Sequence, residues 1–276
     1  MSLRTDGLPL AFIGKTKKGY QSDDHEILLS FKNTVTGDLI IEDGKQTFVE
    51  NPGGNNESPY EVEGLGRKNL EASVKFFELL AARNIPTHMI DFDLGEGTML
   101  VKEGEHIGKG KACNIKGTDY TVAGLECIIR FKARGSFIGR DDAIKPDGSR
   151  YEDGDILLEP RFDITLKNDA ANDPRATKEE LLKDEIMTEA QYDECHKTVL
   201  KAATVIKEYF AGLYLDMDDI KFEVAIIDGQ LTIIDEISAG IMRVYQKDGV
   251  QLSESDLADV IVTEIVPNTS SAFSLI

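Results

Sequence analysis

A chain of 276 residues, 41% hydrophobic and 29% charged, is ordinary for a soluble globular protein and long enough for two lobes around a cleft. Thirty-one basic residues against fifty acidic ones leave a net charge of −19, a field that repels nucleic acid and that no basic stripe offsets. No apolar run approaches bilayer-crossing length, so no membrane partner is expected, and a phosphorylated small molecule would need a locally basic pocket.

Residues 8–13 and 26–31 are short apolar runs separated by polar turn residues, which predicts two strands. Residues 43–66 are rich in Asn, Gly, Pro and Glu and read as a long loop or an insertion. Residues 67–83 carry Leu70, Val74, Phe77 and Leu80 at helical spacing, and Asn84 ends that helix. Strands are expected at 87–92 and 95–101, then turns over 104–119. An apolar strand at 125–131 opens the second half, and 139–155 reads as a charged surface loop. Thr177 with Glu180 makes a capping-box start. Residues 188–212 are the clearest helix, with Val199, Ala202, Ile206 and Phe210 on one face. Runs at 222–227 and 231–237 flank Asp228-Gly229, a strong hairpin signal, and Ser253 caps a last helix.

Several clusters are suited to chemistry. Gly14-Lys15-Thr16-Lys17-Lys18-Gly19-Tyr20 lets the backbone turn tightly and adds point charges for phosphate, without Walker spacing. It is either a hairpin flap over a nucleotide or a basic surface turn. Strand geometry sets Asp219, Lys221 and Glu223 on one face, and the partner strand ends in Asp235-Glu236. Such hard oxygen ligands suit Mg²⁺, and a lysine between carboxylates can hold a reacting carboxylate or phosphoryl group. A solvated charged hairpin is the alternative. A two-residue turn at Asp228-Gly229 pairs Glu223 with Ile234, so bringing Glu223 to Asp235 needs a bulge or a strong twist.

Arg130, Lys132, Arg134, Gly135 and Ser136 at a strand end form a phosphate pocket or mere surface charge. The polar knot that includes Lys167, Asn168 and Asp173 is also open to a reading as turn chemistry alone. Cys113, Cys127 and Cys195 fit neither zinc nor redox spacing and read as reduced thiols of a cytoplasmic protein. The four histidines sit in no nucleophile setting, which leaves hydrolase chemistry unsupported.

In this order the clusters resemble the SAICAR synthetase family. Its G-K-x-K…Y element is met by Gly14, Lys15, Lys17 and Tyr20, and its E-C-x-x-R…G-S by Glu126, Cys127, Arg130, Gly135 and Ser136. Its F-D-x-x-L-K-N-D-A…D-P is met by Phe162, Asp163, Leu166, Lys167, Asn168, Asp169, Ala170 and Asp173-Pro174. Its D-x-K-x-E hairpin and following D-E are met by Asp219, Lys221, Glu223, Asp235 and Glu236. The resemblance implies an α+β fold of two lobes, kinase-like or ATP-grasp-like. ATP would sit between a β-rich lobe at residues 1–122 and an α/β lobe at residues 123–276.

The resemblance further implies an ATP-dependent carbon–nitrogen ligase of purine biosynthesis. Such an enzyme activates the carboxylate of carboxyaminoimidazole ribonucleotide and joins it to L-aspartate. Gly14, Lys15 and Lys17 are then expected at the ATP phosphates, and Glu223 and Asp235 at Mg²⁺ and the nucleotide. Arg130, Ser136 and Arg243 are expected at the ribonucleotide phosphate, and Lys221, Lys167 and Asp173 at the reacting groups. The implied partners are small molecules, with a homodimer as an assembly the resemblance allows.

The chain departs from the family pattern in the substrate half. After D-E the family has x-x-P-D-x-S-R, whereas this chain has Ile237-Ser238-Ala239-Gly240-Ile241-Met242-Arg243. Pro146-Asp147-Gly148-Ser149-Arg150 repeats that pattern out of place and reads as a surface turn. Lys132 stands for a usual arginine, Arg134 for a small residue, and the K-G-x-x-N-N element survives loosely as residues 63–69. The altered loop keeps two alternatives open: a related ligase for another amine or ribonucleotide, and a non-catalytic nucleotide-binding protein. Compensation for the lost polar groups from a different strand, by Arg134 or another residue, is the alternative.

Overall fold

Short apolar runs broken by turn residues fold the amino-terminal half into antiparallel sheet in the computed structural model, which describes residues 3–42 and 44–265. Leu10–Ile13 (β1), Lys17–Asp23 (β2) and Glu26–Phe31 (β3) pair as successive hairpins. Thr36–Glu42 (β4), Lys45–Glu50 (β5) and Asn56–Glu57 (β6) form a separate sheet in the order β5-β4-β6. The helix Leu65–Ala81 (α1) precedes Met89–Asp93 (β7) and Thr98–Lys102 (β8), which complete a five-stranded sheet, β1-β2-β3-β8-β7. Glu105–His106 (β9) and the hairpin of Ala112–Ile115 (β10) with Thr118–Thr121 (β11) lead into the second half.

That half is built on a seven-stranded sheet. Leu125–Lys132 (β12), Ile156–Leu166 (β13), Arg175–Ala176 (β14), Asp216–Ile227 (β15) and Gln230–Ile234 (β16) run in the order β14-β13-β12-β15-β16. Met242–Tyr245 (β17) and β9 also pair with β15. Lys178–Lys183 (α2) and Glu189–Gly212 (α3) separate β14 from β15, and Glu254–Thr263 (α4) follows β17. Thr177 and Thr188 each close a capping box, with Glu180 and Gln191, which satisfies the first free amides of α2 and α3. Phe76, Phe77 and Leu80 of α1 and Val199, Ile206 and Phe210 of α3 join Leu29, Met99, Ile129 and Ile220 in one continuous core. Each such side chain contributes about 1.5–3 kcal/mol by leaving water. Among the described residues no helix is long and apolar enough to cross a membrane.

Two stretches read as loop are more ordered than expected. Residues 43–66 contain β5 and β6, and residues 104–119 contain β9, β10 and part of β11. The position Asp43 lies outside the described residues. In both stretches the strands are short, and their polar partners hide the alternation.

α4 begins at Glu254, which is fully buried where the helix meets β4 and α1. Its carboxylate accepts from the Thr36 amide and from Asn69 Nδ2, both at 3.2 Å. Burial pushes this carboxyl up to about 7 despite the Thr36 bond, and the charge of Glu236 adds to the rise. A carboxyl with a folded pKa above its unfolded value withdraws stability as pH rises between the two. The loss starts near the ordinary carboxyl value of about 4.3 and amounts to about 3 kcal/mol once deprotonation is complete. Glu254→Gln copies the protonated form. Asn69 Oδ1 has no partner among the described residues, so a flipped Asn69 amide can accept from the new donor. The variant is expected to melt above the wild type at pH 8 and level with it at pH 4. An equal gap at both pH values would contradict this.

Candidate active site

Strand register assembles the site on one face of the seven-stranded sheet. Directly opposed residues in antiparallel strands share a face. Glu223, Glu126 and Thr165 make one cross-strand row, Lys221, Ile128 and Asp163 the next, and Asp219, Arg130 and Arg161 the third. Arg243 of β17 extends the third row through Asp219.

At the Glu223–Glu126 end of this face, carboxylates and ammoniums form a lattice. Lys17, at 5% exposure, sets Nζ 2.9 Å from Asp235 Oδ2 and 3.1 Å from Glu236 Oε1. Thr16 Oγ1 donates to the same Glu236 oxygen at 2.5 Å. Lys167 Nζ donates to Glu223 Oε1 at 2.6 Å, and Lys221 Nζ to Glu126 Oε1 at 2.6 Å. Thr165 Oγ1 completes the Glu126 carboxylate at 2.9 Å. Burial alone would lower the pKa values of Lys17 and Lys167, but the adjoining carboxylates outweigh it and raise both.

The hairpin register is Glu223 opposite Ile234, as the Asp228-Gly229 turn dictates. Asp235 nevertheless reaches the cluster because its backbone is left-handed, φ 74°, which turns the chain out of the strand. His88 Nε2 donates to the Asp235 carbonyl at 2.9 Å and holds that turn. Burial lowers the His88 pKa to about 4, so the ring is neutral and serves as a donor. Burial, and then the charge of Asp235, raises the pKa of Glu223. Asp235 itself is depressed by Lys17 and Lys167 in spite of its burial.

Glu126, Glu223, Asp235 and Glu236 thus face three ammoniums, which leaves one negative charge in excess. Glu236 Oε2 has no hydrogen-bond partner among the described residues. Surplus negative charge, hard oxygen donors and an unpartnered buried acceptor fit a Mg²⁺–nucleotide. Among the described residues no three His, Cys, Asp or Glu side chains form a closed metal cage. Mg²⁺ needs none, since it is held by one or two carboxylates together with phosphates and water.

Beside this lattice opens a cleft of about 450 Å³, lined by Glu126, Lys221, Arg130, Ser136, Asp173 and Arg243 among others. Arg243 grips Asp219 with Nε at 2.9 Å and Nη2 at 2.8 Å. Its guanidinium lies against Gly135, whose left-handed φ of 54° favours glycine and where a Cβ would come within 2.4 Å of Nη1. Arg130 is buried between Asp219 at 2.7 Å and Asp163 at 3.3 Å. Asp163 also receives Arg140, Arg161 and Arg175. Its burial favours the neutral acid, but the four guanidiniums outweigh that and hold the carboxyl below its usual range. Ser136 is bonded by Arg140 through both its carbonyl and its hydroxyl. Asp173 has a left-handed backbone, φ 45°, and accepts from the Asn168 amide at 2.7 Å.

The structure therefore gathers Lys17, Lys167, Lys221, Glu223 and Asp235 into one cluster and sets Arg130, Ser136, Asp173 and Arg243 along the cleft beside it. Gly14 and Lys15 lie in the β1–β2 turn, with Lys17 Oriented by its strand; the Gly14 amide donates to the Lys17 carbonyl at 2.8 Å. Arg134 does not compensate for the altered loop. It is held by Asp218 at 2.7 Å and by Asp153, and it stacks on Tyr245. The loop itself packs as a short 3-10 turn, Ala239–Ile241, whose Ile241 lines the cleft with Met242. Residues missed from the sequence are His88, within the stretch 87–92 expected as a strand, and residues 51–56, which form one wall of the cleft.

The SAICAR synthetase family model matches residues 52–259. A phosphoribosylaminoimidazole-succinocarboxamide synthase from Clostridium tetani is 34% identical over 255 residues, covering 92% of this chain and 99% of that protein. Among solved structures, a SAICAR synthetase (Type-2) in complex with ADP superposes with a TM-score of 0.70 at 20% identity, over 94% of this chain and 100% of that one. The SAICAR-synthase from Saccharomyces cerevisiae complexed with SAICAR superposes with a TM-score of 0.64 at 15% identity, over 97% and 90%. These two likenesses show the fold, and it is the two-lobed α+β class that the sequence motifs implied. With the motif residues drawn together on one sheet face, and a relative one-third identical over nearly the whole length of both chains, the chain belongs to the SAICAR synthetase family.

Proposed function

We propose that the cleft joins L-aspartate to carboxyaminoimidazole ribonucleotide, with cleavage of ATP to ADP and phosphate. The observation that carries this reading is the shared sheet face: Lys221 and Glu126 form the seam between the carboxylate–lysine cluster and the basic cleft. The Clostridium tetani relative carries the synthase name, and the two solved relatives were obtained with ADP and with SAICAR.

Gly14, Lys15 and Lys17 hold the ATP phosphates, and Glu223 and Asp235 hold Mg²⁺ with the nucleotide. The metal, when bound, neutralises phosphate charge. Arg243 and Ser136 take the ribonucleotide phosphate, with Arg130 backing them from within the sheet. Lys221 and Lys167 orient the substrate carboxylate. A carboxylate oxygen attacks the γ-phosphorus, the bond to ADP breaks, and an acyl phosphate results. The aspartate amine then attacks the acyl carbon and phosphate leaves. Asp173 accepts the proton the amine sheds. Positioning and charge neutralisation supply most of the acceleration in such transfers.

ADP release should require both the ribonucleotide carboxylate and an amine. A panel of amino acids, with the ribonucleotide held fixed, is expected to give amide product with L-aspartate. Gly240 and Met242 stand where the family has an aspartate and a serine, and Ile241 and Met242 line the cleft, so a different amine that alone gave product would favour a related ligase instead.

A further inference from the structure

The cleft is roofed by the segment that the sequence presents as an insertion. Residues 51–55 connect β5 to β6 and, with Asn56, line the cleft beside Asp38 of β4. Two hydrogen bonds tie this strap to separate elements: the Gly53 amide donates to the Gly240 carbonyl at 2.6 Å, and Asn55 Nδ2 donates to Asn172 Oδ1 at 2.6 Å. The strap lies so close on β4 that a Cβ at Gly54 would stand 2.4 Å from the Gly37 carbonyl group. At its start, Asn51 Nδ2 donates to Asp38 Oδ2 at 2.6 Å, and Thr36 Oγ1 donates to the Asn51 carbonyl at 3.3 Å.

Asp38 differs from Asp219, which also lines the cleft. Asp219 is taken up by Arg130 and Arg243, whereas Asp38 makes no ion pair among the described residues. A carboxylate accepts through about four lone-pair positions, so a single bond from Asn51 orients Asp38 without filling it. Its charge repels phosphate and suits donors that carry no negative charge. The 3-10 turn that holds the strap adds apolar Ile241 to the cleft, whereas Asp38 adds a carboxylate on the strap side. A ribonucleotide offers two kinds of uncharged donor, ribose hydroxyls and a ring amine.

We propose that Asp38, oriented by Asn51 and enclosed by the strap, selects the ribonucleotide by accepting hydrogen bonds from those uncharged donors. The inference rests on the proposed function for the identity of its ligand. Its test is calorimetric binding of carboxyaminoimidazole ribonucleotide, its 2′-deoxyribose analogue and an analogue lacking the ring amine, with no need for turnover. The wild type is expected to favour the parent over at least one analogue by about 10- to 100-fold, the usual worth of a hydrogen bond to a charged group. Asp38→Ala should lose that preference while ATP affinity stays unchanged, and Asp38→Asn should keep part of it. Loss confined to the deoxy analogue assigns Asp38 to the ribose, and loss confined to the other assigns it to the ring. Asp38→Ala discriminating like the wild type, a wild type without preference, or an equal fall in ATP affinity would each overturn the proposal. If the wild type binds and discriminates yet forms no amide, the proposed function fails and the role of Asp38 stands.

Discussion

Asp235→Asn is expected to reduce ribonucleotide-dependent ADP formation by about a thousandfold, the scale on which a preorganised electrostatic partner is lost. Asn keeps the size of the side chain and tolerates the left-handed backbone at this position, so the turn after β16 and its bond from His88 survive. What disappears is the charge that faces Lys17 at 2.9 Å and belongs to the pair with Glu223. Lys17 retains Glu236 at 3.1 Å, so the variant avoids the larger penalty of stranding a buried ammonium. Glu223→Gln should fall similarly, because it removes the partner of Lys167. A Mg²⁺ titration separates weakened metal use from weakened nucleotide binding. Turnover within tenfold of the wild type in both variants, with unchanged melting, would overturn the proposed role of Glu223 and Asp235 in holding Mg²⁺.

Asp163→Ala is expected to produce the largest loss of stability. This carboxylate, 2% exposed, is shared by four arginines. Removing it leaves Arg130 buried with one partner fewer and leaves Arg140, Arg161 and Arg175 repelling one another. Breaking a buried charge cluster in this way costs about 3–5 kcal/mol. Asp142→Ala is the control, since Asp142 bonds two of the same arginines from an exposed position and its loss should cost under about 1 kcal/mol. The sign with pH follows from the depressed pKa of Asp163. Its contribution is present above the ordinary carboxyl value of about 3.9 and is lost as pH falls below it. Urea unfolding at pH 7 and pH 3 reads both effects. Equal midpoints for Asp163→Ala and Asp142→Ala at pH 7 would contradict the shared-carboxylate picture.

Local pattern made much of the scaffold legible. The Asp228-Gly229 turn fixed the Glu223–Ile234 register, and Thr177, Thr188 and Ser253 marked helix starts that the structure contains. The five-residue alternation of Asp219, Lys221 and Glu223 brought those side chains to one face because strand geometry leaves no other choice. The hairpin register demands a distortion to bring Glu223 to Asp235, but the sequence does not show its form. Asp tolerates a left-handed backbone without demanding one, and the His88 donor that holds it lies just before β7, 147 residues away in the chain. The strap was hidden because β5 alternates mostly polar residues and its loop composition dominates the window. Arg134 looked available at the strand end, yet Asp218 and Asp153, remote in sequence, take its guanidinium. Long-range ion pairing of this kind leaves no periodic trace.

The most direct measurement is the fate of ¹⁸O placed in the carboxylate of carboxyaminoimidazole ribonucleotide during turnover with ATP and L-aspartate. Attack of that carboxylate on the γ-phosphorus transfers one of its oxygens to phosphate. The expected result is one ¹⁸O in the inorganic phosphate for each amide formed, with no label lost to water. Amide formation with unlabelled phosphate, or ADP release that ignores the ribonucleotide, would contradict carboxylate activation at this site.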